Sequence, residues 1–249
     1  MNQEKVFKAS NGYTAIAIIF VLFFASLFGV IFLKLIPLIF ITFFSVVACI
    51  GFVIVNPNES AVLVLFGAYK GTIKDYGFWW ANPFYVKKKI SLRAHNFDSE
   101  PIKVNDKVGN PIKIGVVLVW KVEDTFKTAF QVDDFKHFVV VQSEAALRKI
   151  AGTYPYDNFE DEDASLTLRS GGEGINDELE KEIAERLELA GVHVIEARIN
   201  YIAYAEEIAS AMLRRQQATA VIAAREKIVE GAVTMVEMAL QKLEGKKVV

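Results

Sequence analysis

This 249-residue chain has almost no cysteine: Cys49 stands alone. An intrachain disulfide and a thiolate metal site are therefore excluded. Histidine is nearly as scarce. His95, His137 and His193 lie far apart, with no carboxylate at ligand spacing, so each reads as a surface or packing residue. Neither sign of charge is in excess. Lys and Arg number 28 against 30 Asp and Glu, a formal net charge of −2. With no basic excess, nucleic acid is not an expected partner.

Catalytic patterns are missing as well. No Ser/His/Asp, Cys/His or His-rich metal constellation can be assembled, so no enzyme activity, metal or cofactor is expected. The nearest approach to a phosphate loop is Ser170-Gly171-Gly172-Glu173-Gly174, ahead of a helix at Ile175. It lacks the Gly-Lys-Ser/Thr of a P-loop, and Glu173, Asp177 and Glu178 would repel a phosphate. The acidic run Asp157, Glu160, Asp161, Glu162 and Asp163 lacks the alternating ligand spacing and central glycine of an EF-hand, and reads as a solvated turn.

The most informative absence is charge between Tyr13 and Val55, where Lys34 is the one ionisable side chain. A single helix over that stretch would run about 65 Å, against a bilayer core of about 30 Å. Lys34-Leu35-Ile36-Pro37 sits at its middle. Proline removes a backbone donor and disfavours helix at the residue before it. A helical hairpin is predicted, about 13–33 and about 38–55, with either two full spans or a shallow insertion into one leaflet. Flanking charge sets its orientation. Lys5 and Lys8 precede the block, opposed by Glu4. Lys70, Lys74, Lys87, Lys88, Lys89 and Arg93 follow it, opposed by Glu59 and Asp75. Cationic flanks favour the cytoplasmic side. A hairpin returns the chain to its starting side, so a cell-membrane protein with a cytoplasmic N-terminus (1–12) and a cytoplasmic soluble domain is expected. Lys34 would snorkel to the far interface.

Beyond the block, Ala61–Phe66 and Lys87–Arg93 read as strands. Ile112, Ile114, Val116, Leu118, Trp120 and Val122 share one parity and mark the clearest strand. Asp124 and Asp133 or Asp134 are candidate helix caps. Ile175, Leu179, Ile183 and Leu187 recur every four residues on a helix ending near Gly191. Val192–Ile202 is strand-like. The order predicts an α+β region over 56–204, compatible with two small subdomains. Gly71–Pro83 reads as a loop. Within it and just beyond, Phe78, Trp79, Trp80, Phe84 and Tyr85 cluster beside Lys87, Lys88 and Lys89. Aromatics favour the headgroup region and lysines are drawn to anionic lipid, so these residues are candidate membrane contacts. Filling the domain core is the alternative use of the same aromatics.

From Ala205 to Leu243 there is no proline, and a stripe spaced 4, 3, 4, 3 runs from Ile208 to Leu243. A helix over 205–245 is expected to project. Ile222, Val229, Val233, Val236, Leu240 and Leu243 are the candidate contacts for self-association.

These residues resemble the SPFH (band 7) superfamily of stomatins, prohibitins and flotillins. The resemblance rests on Val55-Asn56-Pro57-Asn58-Glu59, Ala61-Val62, Phe66-Gly67, Gly71, Gly77, Asn82-Pro83-Phe84 and Ser91-Leu92-Arg93. It continues through Pro111–Lys121 and Gly191-Val192-His193-Val194, with Ile199, Ile202, Glu207-Ile208 and Ala211-Met212. Ala205 stands where members often carry proline, and Tyr76-Gly77 replaces a usual proline-glycine. The chain ends soon after Gly245, leaving open a further C-terminal segment that matters for assembly. The resemblance implies a non-enzymatic membrane scaffold. Its large homo-oligomers, a ring or cage, would organise a microdomain and modulate a membrane protease or other membrane-protein client. The alternatives are a small-oligomer regulatory module for a transporter or protease, and a membrane hydrolase.

Overall fold

Alternation decides the centre of the domain. The structure is a computed structural model that describes residues 4–32, 34–157, 166–170 and 172–245, with side chains to Lys242. In chain order the elements are β1 (Ser10–Asn11), α1 (Gly12–Phe32), α2 (Leu38–Cys49), β2 (Phe52–Val55), β3 (Glu59–Leu65), β4 (Ala68–Ile73), β5 (Gly77–Trp80) and β6 (Val86–Ser91). They continue as β7 (His95–Asp98), β8 (Ile102–Asn105), β9 (Pro111–Val122), α3 (Thr125–Phe130), α4 (Phe135–Thr153), α5 (Gly172–Leu187), β10 (Val192–Tyr204) and α6 (Glu206–Gly245). The parity read along β9 is borne out: Ile112, Ile114, Val116, Leu118, Trp120 and Val122 are all buried.

Strand β9 pairs antiparallel with β10 along its whole length, and with β7 and β8 on its other edge. The apolar face of the β9–β10 ladder is covered by α4, against β9, and α5, against β10. The four-residue repeat of α5 puts Ile175, Leu179, Ile183 and Leu187 in one core with Val139, Leu147 and Ile150 of α4. The capping expectations hold too. The Asp124 carboxylate accepts from the N–H groups of Phe126 and Lys127, and Asp134, rather than Asp133, caps α4 through Lys136 and His137. Gly191 closes the α5 segment at φ 67. A Cβ there would sit 2.4 Å from the Asp124 carbonyl oxygen, so only glycine fits.

A second, smaller core lies between the sheets β4-β3-β6 and β1-β5-β2. Val53, Val55, Ala61, Leu63, Ile73 and Ala81 fill it. Strand β3 belongs to both cores: Ala61 and Leu63 point into the small one, Val62 into the large one. That two-sided burial explains the unbroken apolar run AVLVL. The two units are thus joined through a shared strand.

Three expectations are corrected. The second apolar helix does not run to Val55. It stops at Cys49, and Phe52–Val55 is strand β2, because a short β-branched run is equally at home in a strand that finds a partner. The stretch Gly71–Pro83 is not all loop, since it contains the end of β4 and all of β5. Strands β7 and β8 were not foreseen. Glu160, Asp161, Glu162, Asp163 and Gly171 lie outside the described residues, while Asp157 accepts a hydrogen bond from the Tyr204 hydroxyl at 2.7 Å.

Truncating Leu179, which is fully buried where α5 packs on β10, to alanine should cost about 2–5 kcal/mol. A clear drop in the melting temperature of the detergent-extracted Leu179→Ala protein, followed by circular dichroism, is the expected result.

Candidate functional site

Two features stand out once the domain is assembled: an apolar hairpin fixed to one end and a long exposed helix leaving the other. The hairpin is held by β5. Trp80 and Trp79 pair with Ser10 and Asn11 on one side, and with Phe52 and Val53 on the other. Strand β1 leads into α1 and β2 follows α2, so both legs of the hairpin are hydrogen-bonded to the same four-residue strand. The segment before β1 is tied down as well. Phe7 donates its N–H to the Thr72 carbonyl at 2.9 Å, and Thr72 donates back to Lys5 at 2.8 Å. Glu4 meets the Lys74 amine at 2.7 Å and the Thr125 hydroxyl at 2.5 Å.

The legs differ in kind. Helix α1 has 21 residues, about 31 Å. Helix α2 has 12, about 18 Å, too short to cross a bilayer core of about 30 Å alone. Small residues let the helices approach. The Ser26 and Thr42 hydroxyls are hydrogen-bonded at 2.9 Å, and Gly29 lies against Leu38. At the base, Gly51 turns the chain from α2 into β2 so tightly that a Cβ would sit 2.4 Å from the Ala81 carbonyl oxygen.

The predicted contact residues divide by use. Phe78 stacks on Phe52 and meets the Tyr13 ring edge-on. Trp79 donates to the Asp75 carbonyl and packs on the small core, and Trp80 donates to the Ala48 carbonyl in the last turn of α2. Tyr85 packs against Phe7. All four are half-buried in the joint between hairpin and domain; Phe84 alone of the cluster is exposed. Lys87 turns inward. Its amine donates to the carbonyls of Ile50 at 2.6 Å and Phe52 at 3.0 Å, and burial pushes its pKa below the usual lysine range. A cation on the last carbonyls of a helix also suits the helix dipole. Lys88 is exposed, and Lys89 lies 3.7 Å from Glu59.

Strand register gathers further apolar residues at this end. Val64 pairs with Val86, so the β3–β4 turn lies beside the start of β6, next to the base of α2. Phe66 tips that turn at φ 47 and is 87% exposed; Val86 and Ile50 are exposed beside it. Sequence reading passed over Phe66 as a strand terminus. A large aromatic directly before a turn glycine was the available signal.

At the opposite end of the β9–β10 ladder, about 36 Å away, Tyr204 pairs with Ile112 and α6 begins. Its base is clamped. Ala205 donates its N–H to the Pro111 carbonyl, Lys113 bonds Glu206 at 2.6 Å, and Lys103 bonds Glu207. The lysine partners hold both carboxyls below the usual range. From Val221 to Leu240 every residue of the helix is exposed among the described residues, and Ile222, Val229, Val233, Val236 and Leu240 are each more than half exposed. The side chain of Leu243 lies outside the described residues. A cleft of about 570 Å³ opens beside the helix base, lined by Tyr156, Arg169, Tyr204, Ala209 and Leu213. Burial, and then Asp157, keep the Tyr204 phenol protonated. Among the described residues no three His, Cys, Asp or Glu side chains are grouped to hold a metal.

An apolar hairpin pinned to a two-core α+β domain, with a long exposed helix at the far end, is an arrangement consistent with membrane association. Residues 53–233 match the SPFH domain / Band 7 family, and the chain belongs to that family. Its members are generally non-enzymatic membrane scaffolds that self-associate, and the N-terminal apolar helix is consistent with membrane anchoring. The chain is similar to an uncharacterized protein of Methanothermobacter thermautotrophicus, with 26% identity over 74% of this chain and 55% of that protein. It therefore spans about half the length of that relative. It is also similar to the uncharacterized protein MJ0827 of Methanocaldococcus jannaschii, with 26% identity over 67% of this chain and 79% of that protein.

Replacing Lys87 by methionine keeps its length but takes this donor from the Ile50 carbonyl, just past α2, and the Phe52 carbonyl, in β2, at a cost of about 1–3 kcal/mol. Amide hydrogen exchange in β2 should accelerate in Lys87→Met while that in β9 stays unchanged.

Proposed function

We propose that this protein is a membrane-anchored scaffold subunit. Copies associate through the domain and α6 into a ring or cage that encloses a patch of membrane and modulates membrane proteins or proteases there. The observation that carries this reading is the pairing of β1 and β2 on β5. Residues 4–11 and the domain are hydrogen-bonded to each other, so they share one side of any bilayer that receives the hairpin. A twelve-residue α2 favours a shallow hairpin in one leaflet over two complete spans. The same joint seats the domain against the lipid. Phe66, Phe84, Val86 and Ile50, all exposed at the hairpin's base, meet the interfacial layer, with Lys88 directed to anionic headgroups. Positive flanks favour the cytoplasmic face.

Anchoring at one end and a projecting apolar helix at the other supply what side-by-side assembly needs, because tethered copies already share an orientation. In sealed vesicles, with Cys49 replaced by serine, cysteines introduced at Lys5 and at Glu196 should react with an impermeant maleimide from the same side. Labelling from opposite sides would refute the hairpin anchor. Mass measurement and single-particle imaging in mild detergent should show a closed particle of many copies. Changing Val233 and Val236 to aspartate should reduce it to small species. Monomers or dimers of the unaltered protein would favour the small-oligomer regulator.

A further inference from the structure

Strand β10 presents a free edge where it ends. It lies at the side of its sheet, and β9 is its one strand neighbour among the described residues. Backbone groups in an antiparallel pair alternate between facing the partner strand and facing away from it. The Ala205 N–H goes to Pro111, at the start of β9. Counting back, Ala203 also faces β9, while the N–H and C=O groups of Tyr204 and Ile202 point outward. Farther back the edge is closed, because the Asn176 side chain accepts from the Ile199 N–H at 3.1 Å. The open strip is therefore short and sits at the foot of α6.

The cleft of about 570 Å³ runs along this strip, and its walls differ in chemistry. Ala209 and Leu213 of α6, both exposed, make an apolar side. Tyr156 and Tyr204 make an aromatic one, with ring centroids 4.1 Å apart. Arg169 supplies a cation. Its backbone N–H is fixed to the Tyr156 carbonyl at 3.1 Å, and its guanidinium forms no ion pair among the described residues. The neighbouring acid, Asp157, already accepts from the Tyr204 hydroxyl at 2.7 Å.

An unpaired strand edge, an apolar wall and an unmatched guanidinium ask three things of one ligand: backbone amides, an apolar side chain and an anion. A small carboxylic acid offers the last two and leaves the strand edge open. An internal loop of a protein offers the first two and leaves Arg169 unmatched. The end of a polypeptide carries all three within its last residues. We propose that this cleft captures the C-terminus of a partner protein. The partner's last two or three residues lie beside Ile202 and Tyr204 as an added strand, its terminal carboxylate meets the Arg169 fork, and its terminal apolar side chain rests on Leu213. The site is complete within one copy of the chain. It thus goes beyond the scaffold reading and depends on neither the anchor nor the assembly.

The test uses the full-length protein in mild detergent and three fluorescent pentapeptides. Each alternates valine and threonine and ends in leucine, phenylalanine or valine with a free carboxylate. At least one should bind saturably, and its C-terminal amide at least tenfold more weakly. Arg169→Gln should erase the difference between acid and amide, whereas Arg169→Lys should retain part of it. Leu213→Asp should weaken binding at least tenfold. Both side chains are exposed, so the circular dichroism of these variants should match that of the unaltered protein. Bound peptide should also slow amide exchange at Ile202 and Tyr204 and leave Val117, within β9, unchanged. Saturable binding by none of the three peptides would overturn the proposal. So would equal binding of acid and amide, the pattern that uptake into micelles gives. Binding of N-acetylleucine as tight as that of the pentapeptide would make the cleft a site for small acids and overturn it too. Each of these failures leaves the scaffold reading standing, since that reading is decided by labelling topology and particle size.

Discussion

Strand β5 sets the geometry of the whole anchor. Four residues, Gly77–Trp80, lie between the strand that enters the hairpin and the strand that leaves it. A hairpin tethered by one leg would swivel on its linker. Tethered by both, it becomes an extension of the sheet. The supporting details serve that joint: Gly51 allows the closest approach, Trp80 and Lys87 satisfy carbonyls at the end of α2, and Phe78 wedges against Phe52 and Tyr13. Each of these groups would be a misplaced polar or bulky residue anywhere else on an apolar surface. Trp80 and Lys87 thus satisfy the Ala48 and Ile50 carbonyls from within the protein, where lipid could not.

The rest of the domain works as a strut. Strand β3, buried on both faces, joins the small core at the anchor to the large core behind β9. The bond between the Thr72 and Thr125 hydroxyls, at 3.0 Å, crosses the same boundary. From there the β9–β10 ladder runs unbroken in pairing, apart from two register shifts, to the point where α6 begins. The ion pairs at the base of α6 are exposed and individually weak. The stiffer restraint is the backbone bond from Ala205 to Pro111, which makes the start of α6 continuous with the sheet.

Sequence reading found what repeats or what is long. The apolar block, the parity of β9, the four-residue period of α5, the aspartate caps and the length of α6 were all legible, because each is a pattern over many residues. Short elements were not. Phe52–Val55 reads equally well as helix or strand, and what decides is the partner β5, which lies beyond Ile73 in sequence and has no alternation of its own. Lys87 looked like one of three equivalent lysines beside a membrane. Its inward turn depends on the end of α2 arriving next to β6, a long-range event that local composition does not encode. The aromatic cluster was visible in the sequence, but the division of its members between joint and surface was not.

The clamp on β5 also imposes an order on biosynthesis. During translation β1 leaves the ribosome first, then the hairpin, and only later the strand that both legs require. Until β5 emerges, β1 has no partner, while the apolar helices are already available to the lipid. The bilayer would thus receive the hairpin before the sheet can exist, and completion of the sheet would lock the insertion afterwards. For a hairpin so inserted, domain folding would act as a latch on a topology chosen earlier. A chain whose hairpin threaded the wrong way would hold β1 and β5 on opposite sides of the membrane, leaving the small core open and the error exposed to quality control.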